Sequence, residues 1–315
     1  MTTMPFTSLA LTAAAVLYLV AGYARTPKTA PYPAYGFAGL AVIIAAEAAL
    51  FLDIRLAGIY FTPLAWTGYI LAADAAVFRL RGRSVIKTEP QAFVWMVVLS
   101  IFSWLIFEGY NLYLRNWIYV GLPNSVIPRY LGYGWSFATI WPGVLETSEL
   151  LLATWFRNSP APPKPAVPAK APVVPIVAGI AMLAVPPLMP PDIAVYLFAP
   201  VWLGFILVLD PLNCRAGRPS LWGDWAHGYK ARSWALIVSG LVCGLLWEFW
   251  NYWASAKWLY IFEILPDWRI FEMPVIGFLG FAAFGLEIFA MYVFATALLN
   301  LPCYEIGAAP DDSLD

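Results

Sequence analysis

Stretches of about 20 apolar residues recur along almost the whole chain, and an α-helix needs a stretch of that length to cross the hydrocarbon of a bilayer. The pattern predicts an all-α fold, a polytopic transmembrane helical bundle. About nine spans can be placed, at roughly 6–24, 37–56, 59–79, 92–113, 135–156, 173–190, 194–210, 233–255 and 275–300. Composition agrees: 62% of the residues are hydrophobic and 12% charged, against roughly 45–50% and about 25% in soluble domains. No room is left for a separate soluble domain. The first run, Phe6 to Ala24, follows Met1–Pro5 with no Lys or Arg, so it reads as a retained helix and not a secretory signal.

Residues 159–172, Ser159 to Pro172, alternate proline with alanine and lysine, a composition that favours extended polyproline over helix. This linker divides the chain. The expected units are an extra N-terminal helix over 1–30, a four-helix unit over 31–158, the linker, a second unit over 173–303, and an acidic tail over 304–315, expected to be mobile.

Basic residues set the expected orientation, because short loops rich in Lys and Arg stay cytoplasmic. Loops after spans one, three, five and seven hold two, four, three and four of them, 13 of 18 in total. The expectation is an integral protein of the cell inner membrane with its N-terminus outside and its C-terminus cytoplasmic.

The two units align at an offset of about 140 residues. Trp66-Thr-Gly68-Tyr-Ile-Leu71-Ala-Ala-Asp74 matches Trp202-Leu-Gly204-Phe-Ile-Leu207-Val-Leu-Asp210 at Trp, Gly, Ile, Leu and Asp. Glu108-Gly-Tyr-Asn111 matches Glu248-Phe-Trp-Asn251, and each is followed by Trp-x-Tyr, Trp117/Tyr119 and Trp258/Tyr260. Leu145-Glu146 matches Leu286-Glu287. Four helices return the chain to its starting side, so a tandem parallel repeat is expected. Such repeats commonly place a ligand site between their halves.

Ionisable groups inside a bilayer cost about 2.5–3.5 kcal/mol on insertion scales and usually face a bundle interior. Glu108, Glu146, Glu248 and Glu287 are therefore the candidate catalytic groups. Trp104, Asn111, Trp247, Trp250 and Asn251 share helix faces with them and are the candidate substrate contacts. The competing reading pairs Glu108 and Glu248 with Arg115, Arg129 or Arg269. Asp74 and Asp210 read as interfacial partners of Arg79, Arg81, Arg215 or Arg218.

Net charge is −1 without a dense basic run, which argues against nucleic acid as a partner. Cys214, Cys243 and Cys303 show no paired spacing, and His227 is the only histidine, which argues against a metal site. No cofactor is expected, and the expected partners are membrane lipid and an apolar small molecule.

Around Lys257 the order runs Trp258-Leu-Tyr260, a short loop, Trp268-Arg-Ile-Phe-Glu-Met-Pro274 and Val-Ile-Gly-Phe-Leu-Gly-Phe. It resembles the repeat of the membrane-embedded lycopene cyclase domain of the heterodimeric or fused type. In that family Trp-x-Tyr precedes a proline and a hydrophobic helix, repeats are tandem, and carboxylates are implicated in protonating an isoprenoid. The family's acidic pair after the proline is replaced by Val275-Ile276-Gly277, and the first unit has Tyr133 where the proline would stand. The resemblance implies a non-redox isoprenoid or carotenoid cyclase or isomerase. A proton-coupled transporter or lipid-handling protein, and a non-catalytic membrane subunit, are the other readings.

Overall fold

The computed structural model describes residues 5–160, 162, 172–262 and 264–308, so most of the 159–172 linker and the end of the tail lie outside the described residues. The long helices are α1 (Pro5–Arg25), α2 (Ala34–Phe51), α3 (Phe61–Arg81), α4 (Pro90–Leu114), α5 (Val126–Ala138), α6 (Ile140–Ala153), α7 (Val173–Ala184), α8 (Phe198–Arg215), α9 (Ala231–Trp253) and α10 (Phe278–Leu298). Two strands, β1 (Trp117–Val120) and β2 (Lys257–Tyr260), follow α4 and α9. The fold is an all-α bundle, and among the described residues seven helices are long and apolar enough to cross a membrane. The chain is an integral membrane protein.

Two of the expected spans take another form. The stretch 135–156 belongs to two helices that meet at Thr139, and every residue of the second, α6, is buried. Its Glu146-Thr-Ser-Glu149 segment lowers hydropathy because α6 is surrounded by protein, where polar groups can find partners. The stretch 173–190 stops being α-helical at Ala184 because Pro186 and Pro187 follow, and continues as a 3₁₀ turn over Pro186–Leu188.

In each hairpin two helices cross at glycine. A Cβ on Gly39 of α2 would lie 2.5 Å from the Gly68 carbonyl of α3, and one on Gly179 of α7 would lie 2.7 Å from the Gly204 carbonyl of α8. Absent side chains let the backbones touch, the mode of approach favoured between helices in lipid. The helix α1 packs on α9, and its Tyr18 stacks on Trp155 at 4.6 Å.

The end of the bundle that carries most of the basic residues is closed by the C-terminal segment. Tyr304 and Ile306 are buried, so this part of the tail is packed, against the expectation of mobility. Glu149 of α6 holds it, accepting the Tyr304 hydroxyl at 3.3 Å and the Gly307 amide, and pairs with Arg81 at 2.9 Å. From the other half, Arg232 donates to the Ile306 carbonyl at 3.1 Å and pairs with buried Asp224 at 2.7 Å.

Asp74 and Asp210 do not serve arginines as expected. Asp74 accepts the Ile86 amide at 2.9 Å and the Ser84 hydroxyl at 2.8 Å, and Asp210 accepts the Leu221 and Trp222 amides at 2.7 and 2.8 Å. Each carboxylate thus satisfies the backbone of the turn that leads into the next membrane helix, a demand that burial makes stringent.

Leucine at Gly179 should separate α7 from α8 and destabilise the protein by at least about 1–3 kcal/mol, read as a lower unfolding temperature in detergent. Removing the carboxylate in Asp224→Ala strands a buried guanidinium and should cost about 3–5 kcal/mol, much of it restored by Asp224→Ala/Arg232→Met. Unchanged unfolding of the single variant would refute the assigned pair.

Candidate functional site

At the end of the bundle opposite the basic loops, β1 and β2 pair antiparallel across the two halves, with Ile118 opposite Leu259, Trp117 opposite Tyr260 and Tyr119 opposite Trp258. Ile118 and Leu259 are 141 residues apart, and so are the two tryptophans and the two tyrosines. Each half thus presents the same residues to the other, the pairing that a two-fold axis through the ladder would produce. In a strand, residues two apart share a face, so the Trp-x-Tyr spacing sets one tryptophan and one tyrosine of each strand on the same side.

That side closes a cavity of about 120 Å³. All four strand aromatics line it, together with Trp104 of α4, Tyr133 and Phe137 of α5, Trp202 of α8, Trp247 of α9, and Phe281 and Phe284 of α10. Trp104 and Phe284 meet edge to face at 5.9 Å, and Trp247 stacks on Phe281 at 6.2 Å. The lining is apolar apart from indole and phenol groups, Thr62 and Ser136, and two cations, Arg129 and Lys257.

Glutamates stand behind this wall. One oxygen of Glu108 accepts three donors: the Trp104 indole at 2.9 Å, the Trp117 indole at 3.1 Å and the Tyr119 hydroxyl at 2.6 Å. Glu248, fully buried, accepts the Tyr260 hydroxyl at 2.8 Å, which itself receives the Trp258 indole at 2.8 Å. The second oxygen of Glu248 makes no hydrogen bond of ordinary geometry among the described residues, with the Met273 amide and the Trp258 indole close to the carboxylate. These bonds replace the arginine pairing considered for both glutamates. Burial first, and then the charge of the neighbouring carboxylate, push both tyrosine hydroxyls well above the usual phenol range, so both stay protonated at neutral pH.

Asn111 and Asn251, expected as substrate contacts, hold backbone instead. The Asn111 amide donates to the Trp117 carbonyl at 2.9 Å, and its oxygen accepts the Asn116 and Trp117 amides at 2.8 and 3.2 Å. Asn251 donates to the Trp258 carbonyl at 2.9 Å and accepts its amide at 3.0 Å. Each asparagine fixes the strand that follows its helix.

Of the other expected site residues, Trp104 and Trp247 line the cavity, whereas Trp250 does not. Trp250 packs on Trp66 at 5.0 Å and donates to Glu47 at 3.3 Å. Glu146 and Glu287 also lie outside the lining. Glu146 sits beside Asp74, within the bundle, and Glu287 is fully buried with neither oxygen partnered among the described residues. The wall residues Trp117, Tyr119, Trp258 and Tyr260 were visible in the sequence as a repeated motif. Their spacing of two, read as strand and not helix, would have marked them as one face of a site.

Among the described residues no cluster of His, Cys, Asp and Glu is suited to a metal ion. Comparison with protein-family models, with curated proteins and with solved structures finds no match.

Cutting the clamp in Asn251→Ala orphans both the amide and the carbonyl of Trp258 and should cost about 1–3 kcal/mol for each group that stays dry. Native-state hydrogen exchange of β2 should accelerate, while exchange of α2 stays as it was. Protection of β2 at the wild-type level would contradict the clamp.

Proposed function

We propose that the aromatic cavity binds an unsaturated apolar molecule and that the protein rearranges it by proton transfer without redox chemistry, as an isoprenoid or carotenoid cyclase or isomerase would. One observation carries the reading: two glutamates from opposite halves each receive a tyrosine hydroxyl that lines the same cavity. The resemblance around Trp258–Pro274 to membrane-embedded lycopene cyclases points the same way. So does the alignment at an offset of about 140 residues, which puts the cavity between the halves of a parallel repeat.

In this reading the Tyr260–Glu248 pair is the proton source: Glu248 in its acid form donates to the Tyr260 oxygen across their 2.8 Å contact, which frees the Tyr260 hydrogen to leave. The Tyr260 hydroxyl passes a proton to a double-bond carbon and is reprotonated from Glu248, which becomes carboxylate. The substrate becomes a carbocation facing the rings of Trp104, Trp117, Trp202, Trp247 and Trp258, whose π-faces attract cations. A bond shift or ring closure, then loss of a proton back to the Tyr260–Glu248 pair, restores a neutral product and the starting enzyme. Electrons balance without an oxidant. Glu108, whose bonded oxygen already takes three donors, holds Trp104, Trp117 and Tyr119 in place.

Transport is the second reading, favoured by Glu287 alone in the interior and by Glu146 beside Asp74, both away from the cavity. Buried carboxyls of this kind mark proton relays in many membrane proteins. The basic-loop bias supports an outward-facing cavity end in either reading.

Reconstituted protein supplied with a linear isoprenoid polyene should form an isomeric product of unchanged mass. Glu248→Gln and Tyr260→Phe should each slow that product at least about 100-fold, the usual contribution of a positioned acid. Unchanged product in both variants would remove the assignment. On the transport reading, a substrate-dependent proton flux into liposomes should vanish in Glu287→Gln, while Tyr260→Phe leaves it intact.

A further inference from the structure

The cavity is apolar in depth, and the formal charges that line it among the described residues are positive. No Asp or Glu lines it among the described residues, whereas Arg129, near the start of α5, and Lys257, at the start of β2, both do. Lys257 is balanced by Glu272 at 2.8 Å. Arg129 forms no ion pair among the described residues: its Nε donates to the Pro123 carbonyl at 2.9 Å and one terminal nitrogen to the Asn124 carbonyl at 3.2 Å. These two bonds fix the guanidinium by its own loop and leave further donors of its five. The guanidinium is thus held in place as part of the wall, without an ion-pair partner among the described residues.

A cation held beside an aromatic cavity does nothing for a pure hydrocarbon, whose binding would gain from a neutral rim. It does serve a molecule with an apolar chain and a negative head, since guanidinium matches the planar oxygens of carboxylate and phosphate. Both cations come from segments next to the paired strands: β1 ends at Val120, opposite Lys257, and Pro123 and Asn124 follow directly. The chain would run from this rim toward Trp202, Trp247 and Phe284.

We propose, resting on the reading of the cavity as a site for an apolar molecule, that its ligand is a single-chain anionic amphiphile whose carboxylate or phosphate head is held by Arg129 with Lys257 beside it. Tryptophans in the wall give a direct signal. Intrinsic fluorescence of the full chain in nanodiscs of neutral lipid is titrated with an isoprenoid alcohol, the carboxylate and the monophosphate of the same chain length, and inorganic phosphate. Both anionic chains should bind at least about tenfold more tightly than the alcohol, equivalent to about 1.4 kcal/mol. The stronger of the two identifies the head. In Arg129→Gln that advantage should disappear while alcohol binding persists, and Arg129→Lys should retain part of it, which separates lost charge from lost folding. Equal binding of alcohol and anions overturns the head-group assignment and leaves the cavity reading intact. Absence of quenching by every chain overturns the cavity reading itself. Inorganic phosphate binding as tightly as the phosphate ester overturns the amphiphile.

Discussion

Backbone that leaves a helix beside lipid must still find partners for its N–H and C=O groups, and the chain meets that demand by pairing one half with the other through β1 and β2. The cavity depends on this ladder. Four of its aromatic walls are strand side chains, and both tyrosines that reach the glutamates stand on it. Neither half could form the ladder by itself. Asn111 and Asn251 then set where each strand begins, so that the glutamate one helical turn earlier meets the tyrosine that returns from the strand. The site is therefore a property of the interface and not of either half.

Much of the fold was legible in the sequence because lipid imposes a simple rule on segment length and polarity. Seven of the expected spans recur as long apolar helices, and the misjudged ones fail for identifiable reasons. The segment 135–156 is divided at Thr139, where Ser100 of α4 accepts the Trp141 amide and donates to the Phe137 carbonyl, a tertiary contact that no periodicity announces. Asking where charge is expensive singles out Glu108 and Glu248 with Trp104 and Trp247, which stand behind and in the cavity wall. Tyr119 and Tyr260 were visible as a repeat but not as wall residues, because strands of four residues carry little pattern by themselves. Asn111 and Asn251 were singled out as substrate contacts, and the structure gives each a strand backbone to hold, a demand that the sequence spacing does not display.

Correspondence between the halves coexists with complementary differences. Trp104 stands 140 residues before Gly244, and Gly143 stands 141 before Phe284. The large member of each pair, Trp104 and Phe284, meets the other in the cavity wall, while Gly143 accommodates Trp66 and Gly244 accommodates Phe281. The space at each glycine is filled from within the same half, by Trp66 in the first and by Phe281 in the second. The two halves therefore contribute different side chains to the cavity wall at corresponding positions of the sequence. Burial acts on the two carboxylates unequally as well, since Glu108 is partly exposed and saturated on one oxygen while Glu248 is sealed, with one oxygen that makes no hydrogen bond of ordinary geometry among the described residues.

The clasp at the basic end carries a consequence for how the molecule is made. Glu149 is synthesised 158 residues before Gly307, the amide it holds, and Tyr304 arrives 155 residues after it. During translation α6 therefore enters the membrane with Arg81 as the partner of that carboxylate already made, among the described residues. Closure must wait until the second half has been inserted and its last helix has passed the membrane. The same short segment takes a bond from Arg232 of the second half, so its docking reports that both halves are in place. A nascent chain halted before residue 304 leaves the first half with a charged, unfinished end. The segment Tyr304–Gly307 thus joins the two halves at once, through Glu149 of the first and Arg232 of the second.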